Sequence, residues 1–247
     1  MTIGLALSIL AVVIFAADWN HVHASGSGPT SLDHLVIGWI HQRQAPWWTD
    51  LSLVLAGVGS TGMMIAISVA GIAVGARWRR LRDMAWTMPI CALGAGLLIL
   101  GAKAYFHRDR PTLFTPIMHA TGYSFPSGHS LFAMSVYGLL GYFAGTLAPT
   151  KLDRRLIHAA TLALILAIGV SRIYLGVHYP TDVLAGWMAG LPWLVICIIV
   201  REALGRTLHK SRDQTRGRAE LSLGKKRAKS LGATSSRSSF GKRRTPA

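Results

Sequence analysis

Three short polar stretches carry residues able to act on a charged oxyanion, and each lies against a long apolar run. The first, Lys103 to Pro111, holds Lys103, His107, Arg108, Asp109 and Arg110. Lys103 ends an apolar helix, where an ammonium is costly unless it is used or snorkels to the interface. His107, Arg108 and Asp109 read by themselves as solvated loop residues. The second stretch, Tyr123 to Ser130, places Pro126-Ser127-Gly128-His129 directly before an apolar helix. Pro, Ser and Gly there are helix start signals. A helix N-terminus that a glycine leaves open to close approach is equally an anion site. His129 adds a side chain that exchanges a proton near neutral pH.

The third stretch runs from Ser171 and Arg172 to His178 and Asp182. Pro180 suits the first position of a helix, which puts Asp182 in the first turn with His178 just outside. A carboxylate on one imidazole nitrogen fixes the tautomer and leaves the other nitrogen the better nucleophile. Arg172 offers a planar fork of donors matched to phosphate oxygens. Each stretch has a structural explanation when taken alone. Together they set Lys103, Arg110, Arg172, His129, His178, Ser127 and Asp182 on one face of a chain that spends little charge there. The ligand they imply is a multiply charged oxyanion, read here as a phosphoryl group.

The elements that must position them are membrane helices. The chain is 51% hydrophobic and 15% charged, against about a quarter charged for soluble domains. Apolar segments of about 20 residues can span a bilayer. They are expected at about 2–17, 51–75, 84–105, 130–148, 156–175 and 181–201. The first could pass for a cleaved leader, but Met1-Thr2 supplies no basic residue, and a retained helix is expected. Residues 31–43 read as an interfacial amphipathic helix or an ordinary cap. Leu32, Leu35, Val36, Trp39 and Ile40 share one face, Asp33, His34, His41 and Gln42 fall largely on the other, and Trp47 and Trp48 follow. The predicted fold is an all-α, six-helix membrane bundle over residues 1–206.

Basic residues set the orientation. From Arg201 to Ala247 there are 14 Lys and Arg against 3 Asp and Glu, so the tail carries most of the net charge of +16. The tail, with Arg77 to Arg82 and Lys151 to Arg155, belongs on the cytoplasmic side of a cell membrane, leaving the polar stretches on the exterior face. Residues 207–247 are expected to be a disordered cytoplasmic segment that meets anionic lipid headgroups. Nucleic-acid binding is not expected, because only Phe240 interrupts the basic run as an aromatic. Cys91 and Cys197 lie inside apolar runs and build neither a metal site nor a disulfide framework.

In these motifs the sequence resembles the type 2 phosphatidic acid phosphatase superfamily. That signature reads Lys, six residues, Arg-Pro; then Pro-Ser-Gly-His; then Ser-Arg, five residues, His, three residues, Asp. Lys103 with Arg110-Pro111, Pro126 to His129, and Ser171-Arg172 with His178 and Asp182 match all three parts in order. The resemblance implies a site at the extracytoplasmic ends of helices three to six. It implies that His178 attacks phosphorus, Asp182 orients it, and His129 serves as acid and then base. Lys103, Arg110, Arg172, Ser127, Ser171 and the Gly128 N–H would hold the phosphate. It implies neither a metal ion nor any other cofactor. A bilayer lipid phosphate is the implied substrate: undecaprenyl diphosphate first, then phosphatidylglycerol phosphate and phosphatidic acid. A phosphotransferase passing the group to another lipid shares the first half-reaction, and a non-catalytic lipid- or anion-binding protein is the remaining alternative. Thr112–Tyr123 could act as a gate, with Gly122 as its hinge.

Overall fold

A computed structural model of the chain describes residues 2–26 and 28–204. The basic segment 207–247, expected to be a separate tail, lies outside the described residues. Every regular element among those described is helical. In chain order these are α1 (Thr2–Ala24), α2 (Ser31–His41), α3 (Pro46–Val58), α4 (Thr61–Arg77) and α5 (Met84–Phe106). They continue with α6 (Gly128–Phe132), α7 (Gly138–Leu147), α8 (Lys151–Tyr174) and α9 (Pro180–Leu204). A π-helical turn, Ala133–Tyr137, joins α6 to α7 into one span of 20 residues. Among the described residues five helices are long and apolar enough to cross a bilayer, and the bent α3–α4 pair makes a sixth. The expected six-span, all-α membrane architecture is the one observed.

Local chemistry explains the boundaries. Thr30 caps α2 and Thr150 caps α8, each in a reciprocal capping box with an aspartate three residues on, Asp33 and Asp153. Pro46 opens α3 at a position where its missing N–H costs nothing. The helix α5 stops where His107 turns left-handed, at φ 44°. Several boundaries depart from the sequence expectation, the start of α8 at Lys151 rather than near 156 among them. The first helix continues past Ala17 to Ala24, because its last turns pack inward: Val22 is buried, and Trp19 meets Phe106 at 4.2 Å between ring centroids. The expected single span over 51–75 is two helices bent by 49°. The break is at Gly59 and Ser60, where the Ser60 hydroxyl accepts the Met63 N–H and starts a new helix.

The main core joins α4, α5, the α6–α7 span and α8 through Met64, Met88, Val136, Leu139, Phe143 and Ile168. The outer faces are apolar as well, with Leu93, Leu97 and Leu100 of α5 about 70% exposed. A contiguous apolar exterior on that scale suits lipid rather than water. The helix α2 departs from its expected pattern. Leu32, Leu35 and Trp39 do face outward, but Ile40 is buried beside Ile37, and Asp33 is turned fully inward.

Candidate active site

The loops at one end of the bundle gather the three polar stretches. His178 lies in the short connection between α8 and α9, and Asp182 in the first turn of α9. Both are buried. The His178 Nδ1 stands 3.4 Å from Asp182 Oδ2, close enough for an ion contact but without the alignment of a hydrogen bond. Burial pulls the His178 imidazole down to about 4, against the opposing pull of Asp182. The ring is therefore neutral at neutral pH. With Nδ1 facing a carboxylate, the proton sits there, and the Nε2 lone pair is left for chemistry.

The turn before α6 is locked onto α9. Ser127 N–H donates to the Asp182 carbonyl at 2.9 Å, and Ser130 Oγ donates to Ser127 Oγ at 3.1 Å. A Cβ on Gly186 would stand 2.6 Å from the Ser127 carbonyl oxygen, so only glycine lets α9 approach this turn so closely. His129 follows one residue into the helix. Its ring packs against the break between α3 and α4, where a Cβ on Gly59 would sit 3.2 Å from His129 Cδ2.

The cations converge from three elements. Lys103, on the last turn of α5, is within electrostatic reach of Arg110, Arg172 and Asp182. His129 feels Arg172, His178 and Lys103 in the same way. Arg172 is buried, its Nε has no hydrogen-bond partner, and its Nη1 approaches the Met118 sulfur at 3.5 Å. An unpartnered buried guanidinium edge is costly unless a ligand completes it. Arg110 stands differently. Its Nε donates to Gly122 O at 2.9 Å, its Nη1 to Val177 O at 2.7 Å and its Nη2 to Thr121 O at 2.9 Å. Burial lowers its affinity for its proton. Arg110 thus ties the 121–122 turn to the strand of chain just before His178. Gly122, expected as a hinge, has the left-handed φ of 72° that such a turn requires. Ser171 turns its hydroxyl back to Ile168 O at 2.7 Å. Gly128 begins α6, with the nearest side-chain atoms to its Cβ position, those of Ile99, at 3.5 Å.

Sequence reasoning missed one fully buried member of the constellation. Arg108, read as a solvated loop residue, is fully buried. Its Nη1 donates to Asp182 Oδ1 at 2.6 Å and to Thr181 Oγ1 at 2.8 Å, while its Nη2 donates to Asp33 Oδ2 at 2.8 Å and Gly28 O at 2.9 Å. Its face lies 4.1 Å from the centre of the Tyr179 ring. Breaking a buried ion pair by removing one partner costs about 3–5 kcal/mol. Asp33 was likewise placed on a polar face, although its spacing from Thr30 was a legible capping signal.

Comparison with known proteins places the chain among membrane phosphatases by similarity. The sequence pattern of the PAP2 superfamily matches residues 84–206. Phosphatidylglycerophosphatase B of Bacillus subtilis is 31% identical over 59% of this chain and 71% of its own length. An undecaprenyl-diphosphatase of Sulfolobus acidocaldarius is 35% identical over 34% of this chain and 36% of its own. The crystal structure of a transmembrane PAP2 type phosphatidylglycerolphosphate phosphatase from Bacillus subtilis superposes with a TM-score of 0.70 at 26% identity. That match covers 82% of this chain and 98% of the other.

Proposed function

The chain belongs to the PAP2 superfamily, and from that premise we propose that it hydrolyses a lipid phosphate through a phosphohistidine on His178. The observation that carries this reading is the neutral, buried His178 with Asp182 at its Nδ1 and cations gathered about it. The Nε2 lone pair attacks phosphorus opposite the lipid oxygen; the P–N bond forms as the P–O bond breaks. His129 gives its proton to the departing oxygen, then takes one from water. The water oxygen attacks phosphorus, the P–N bond breaks, and inorganic phosphate leaves. Lys103, Arg172 and the N–H groups opening α6 oppose the charge on the equatorial oxygens, the role a divalent ion fills elsewhere. Ser127, Gly128, Ser171 and Arg110 shape the same end of the bundle.

Undecaprenyl diphosphate heads the candidate substrates, followed by phosphatidylglycerol phosphate and phosphatidic acid. Both kinds of named relative are consistent with a phosphate on a long lipid. A cavity of about 370 Å³ beside Ser171, walled by Trp39, Trp48, Leu51, Leu55, Val170 and Tyr174, offers apolar room for part of such a chain. The distribution of basic residues supports a site on the exterior face of the cell membrane, with the C-terminal segment cytoplasmic. That segment would then meet anionic headgroups.

The test is phosphate release by detergent-purified protein from each of the three lipids, in EDTA, beside His178→Ala. Release that survives the chelator and is lost in the variant is expected. Release that His178→Ala retains would sink the phosphohistidine route. Labelled phosphate recovered in lipid, with none in water, would make the protein a phosphotransferase.

A further inference from the structure

Four elements meet at the buried Arg108. Thr181 and Asp182 come from α9, Tyr179 from the chain just before it, Asp33 from α2, and Gly28 from the connection before α2. The Asp182 carboxylate is held on both oxygens. Oδ1 accepts from Arg108, and Oδ2 accepts the Tyr179 N–H at 2.9 Å while facing His178. Asp33 is equally committed. Its Oδ2 accepts from Arg108 and from the Thr30 N–H at 3.0 Å, and its Oδ1 accepts the Thr181 N–H at 3.1 Å and hydroxyl at 2.9 Å. One guanidinium therefore lies between two carboxylates, all three side chains fully buried. Both terminal nitrogens of Arg108 are thus taken by protein groups, while its buried Nε has no hydrogen-bond partner.

We propose that Asp33 and Arg108 are positioning residues for the phosphoryl transfer, dividing the guanidinium so that Asp182 keeps Oδ2 clear of it and facing His178. The proposal rests on the phosphohistidine reading above. Arg108 offers one terminal nitrogen to each carboxylate. With Asp33 neutral, the guanidinium has a single anion to satisfy, and a fork-on-fork pairing with Asp182 becomes the better arrangement. That pairing draws Oδ2 away from His178 Nδ1 and removes the group that holds the imidazole tautomer. Asp33, on α2, thereby contributes to the chemistry through Arg108 and Asp182.

Asp33→Asn keeps the side chain's shape and tests this directly. Phosphate release from phosphatidylglycerol phosphate is measured for Asp33→Asn, Asp182→Asn and the double variant. Loss of a supporting residue of this kind costs about 10- to 100-fold in activity. The expected result for Asp33→Asn is a kcat loss of that size with KM within about twofold of wild type, since Asp33 acts through Arg108 and Asp182. In the Asp182→Asn background the same change should cost less than about twofold, because its route to His178 is already cut. Thr181→Val leaves every charge in place and removes only the hydroxyl between Asp33 and Arg108. It should give a smaller kcat loss with the same non-additivity, and it carries the comparison if Asp33→Asn does not fold. Effects that multiply in the Asp182→Asn background, a raised KM at unchanged kcat, or full activity in both variants would overturn the proposal. Wild-type release from Asp182→Asn and His178→Ala would instead overturn the phosphohistidine reading.

Discussion

Gly59 gives the sharpest test of how the bundle holds His129. It sits at the break between α3 and α4, buried, with φ −81° and ψ 1°, so an alanine meets no backbone strain. The obstacle is space. An alanine Cβ would lie 2.5 Å from Ile168 Cγ2 and 3.2 Å from His129 Cδ2. Carbon atoms prefer about 3.5–4.0 Å. Ile168 must therefore withdraw by about an ångström and His129 by a few tenths. Ile168 is fully buried and branched at Cβ, so it cannot swing clear. Overpacking of this kind costs about 1–3 kcal/mol of stability. A displacement of about an ångström near the chemistry can cost 10²-fold in rate, so a few tenths at His129, the proposed proton donor, should cost about tenfold in kcat. Gly57 is the matched control, since a Cβ there meets nothing within 4 Å. Kinetics of phosphate release and thermal melting in detergent should show Gly59→Ala slower and less stable, with Gly57→Ala at wild-type activity. Equal activity in the two variants, or equal loss, would refute the steric account of His129.

Three further predictions concern charge. Because the His178 pKa of about 4 lies below the ordinary value of 6.5, the unfolded chain takes up that proton first. The folded state's stability is thus undiminished above about pH 6.5 and falls between 6.5 and 4. Against His178→Gln, wild type should lose melting temperature progressively over that window; a constant gap from pH 7 to 4 would contradict it. Arg110→Lys cannot reproduce three carbonyl contacts from three nitrogens. It should speed proteolysis within residues 111–124 and raise KM; unchanged protection and KM would remove the clamp role. A cysteine at the exposed Thr121 should react with an impermeant maleimide added outside intact cells, and one at Ser235 should not. The reverse pattern would invert the orientation.

Much of this was legible because the chemistry is dense and the spacing strict. Lys103, Arg110, His129, His178 and Asp182 stand out in a chain this poor in charge, and hydropathy marks the spans around them. Hydropathy is blind to the Gly59–Ser60 break, since a glycine and a serine inside a long apolar run barely lower its average, yet the break is what sets a backbone turn against His129. Arg108 was opaque for another reason. Its neighbours in sequence are polar, and the residues that bury it are 74 and 75 positions away. Asp33 misleads a helical-wheel reading because α2 is arranged opposite to a soluble helix. Leu32, Leu35 and Trp39 look outward, and the inner face includes a carboxylate.

The buried ion network also constrains how the protein is made. Asp33 emerges from the ribosome with the first helices, yet Thr181 follows it by 148 residues and Arg108 by 75. During synthesis Asp33 and Arg108 can pair before α9 exists, but that pair is incomplete until α9 is inserted and Asp182 arrives. A chain stopped before α9 would hold a guanidinium built for two carboxylates with only one. Such an unsatisfied buried charge is destabilising and favours local opening. Closure of the network, and maturation of the site with it, thus coincides with completion of the bundle.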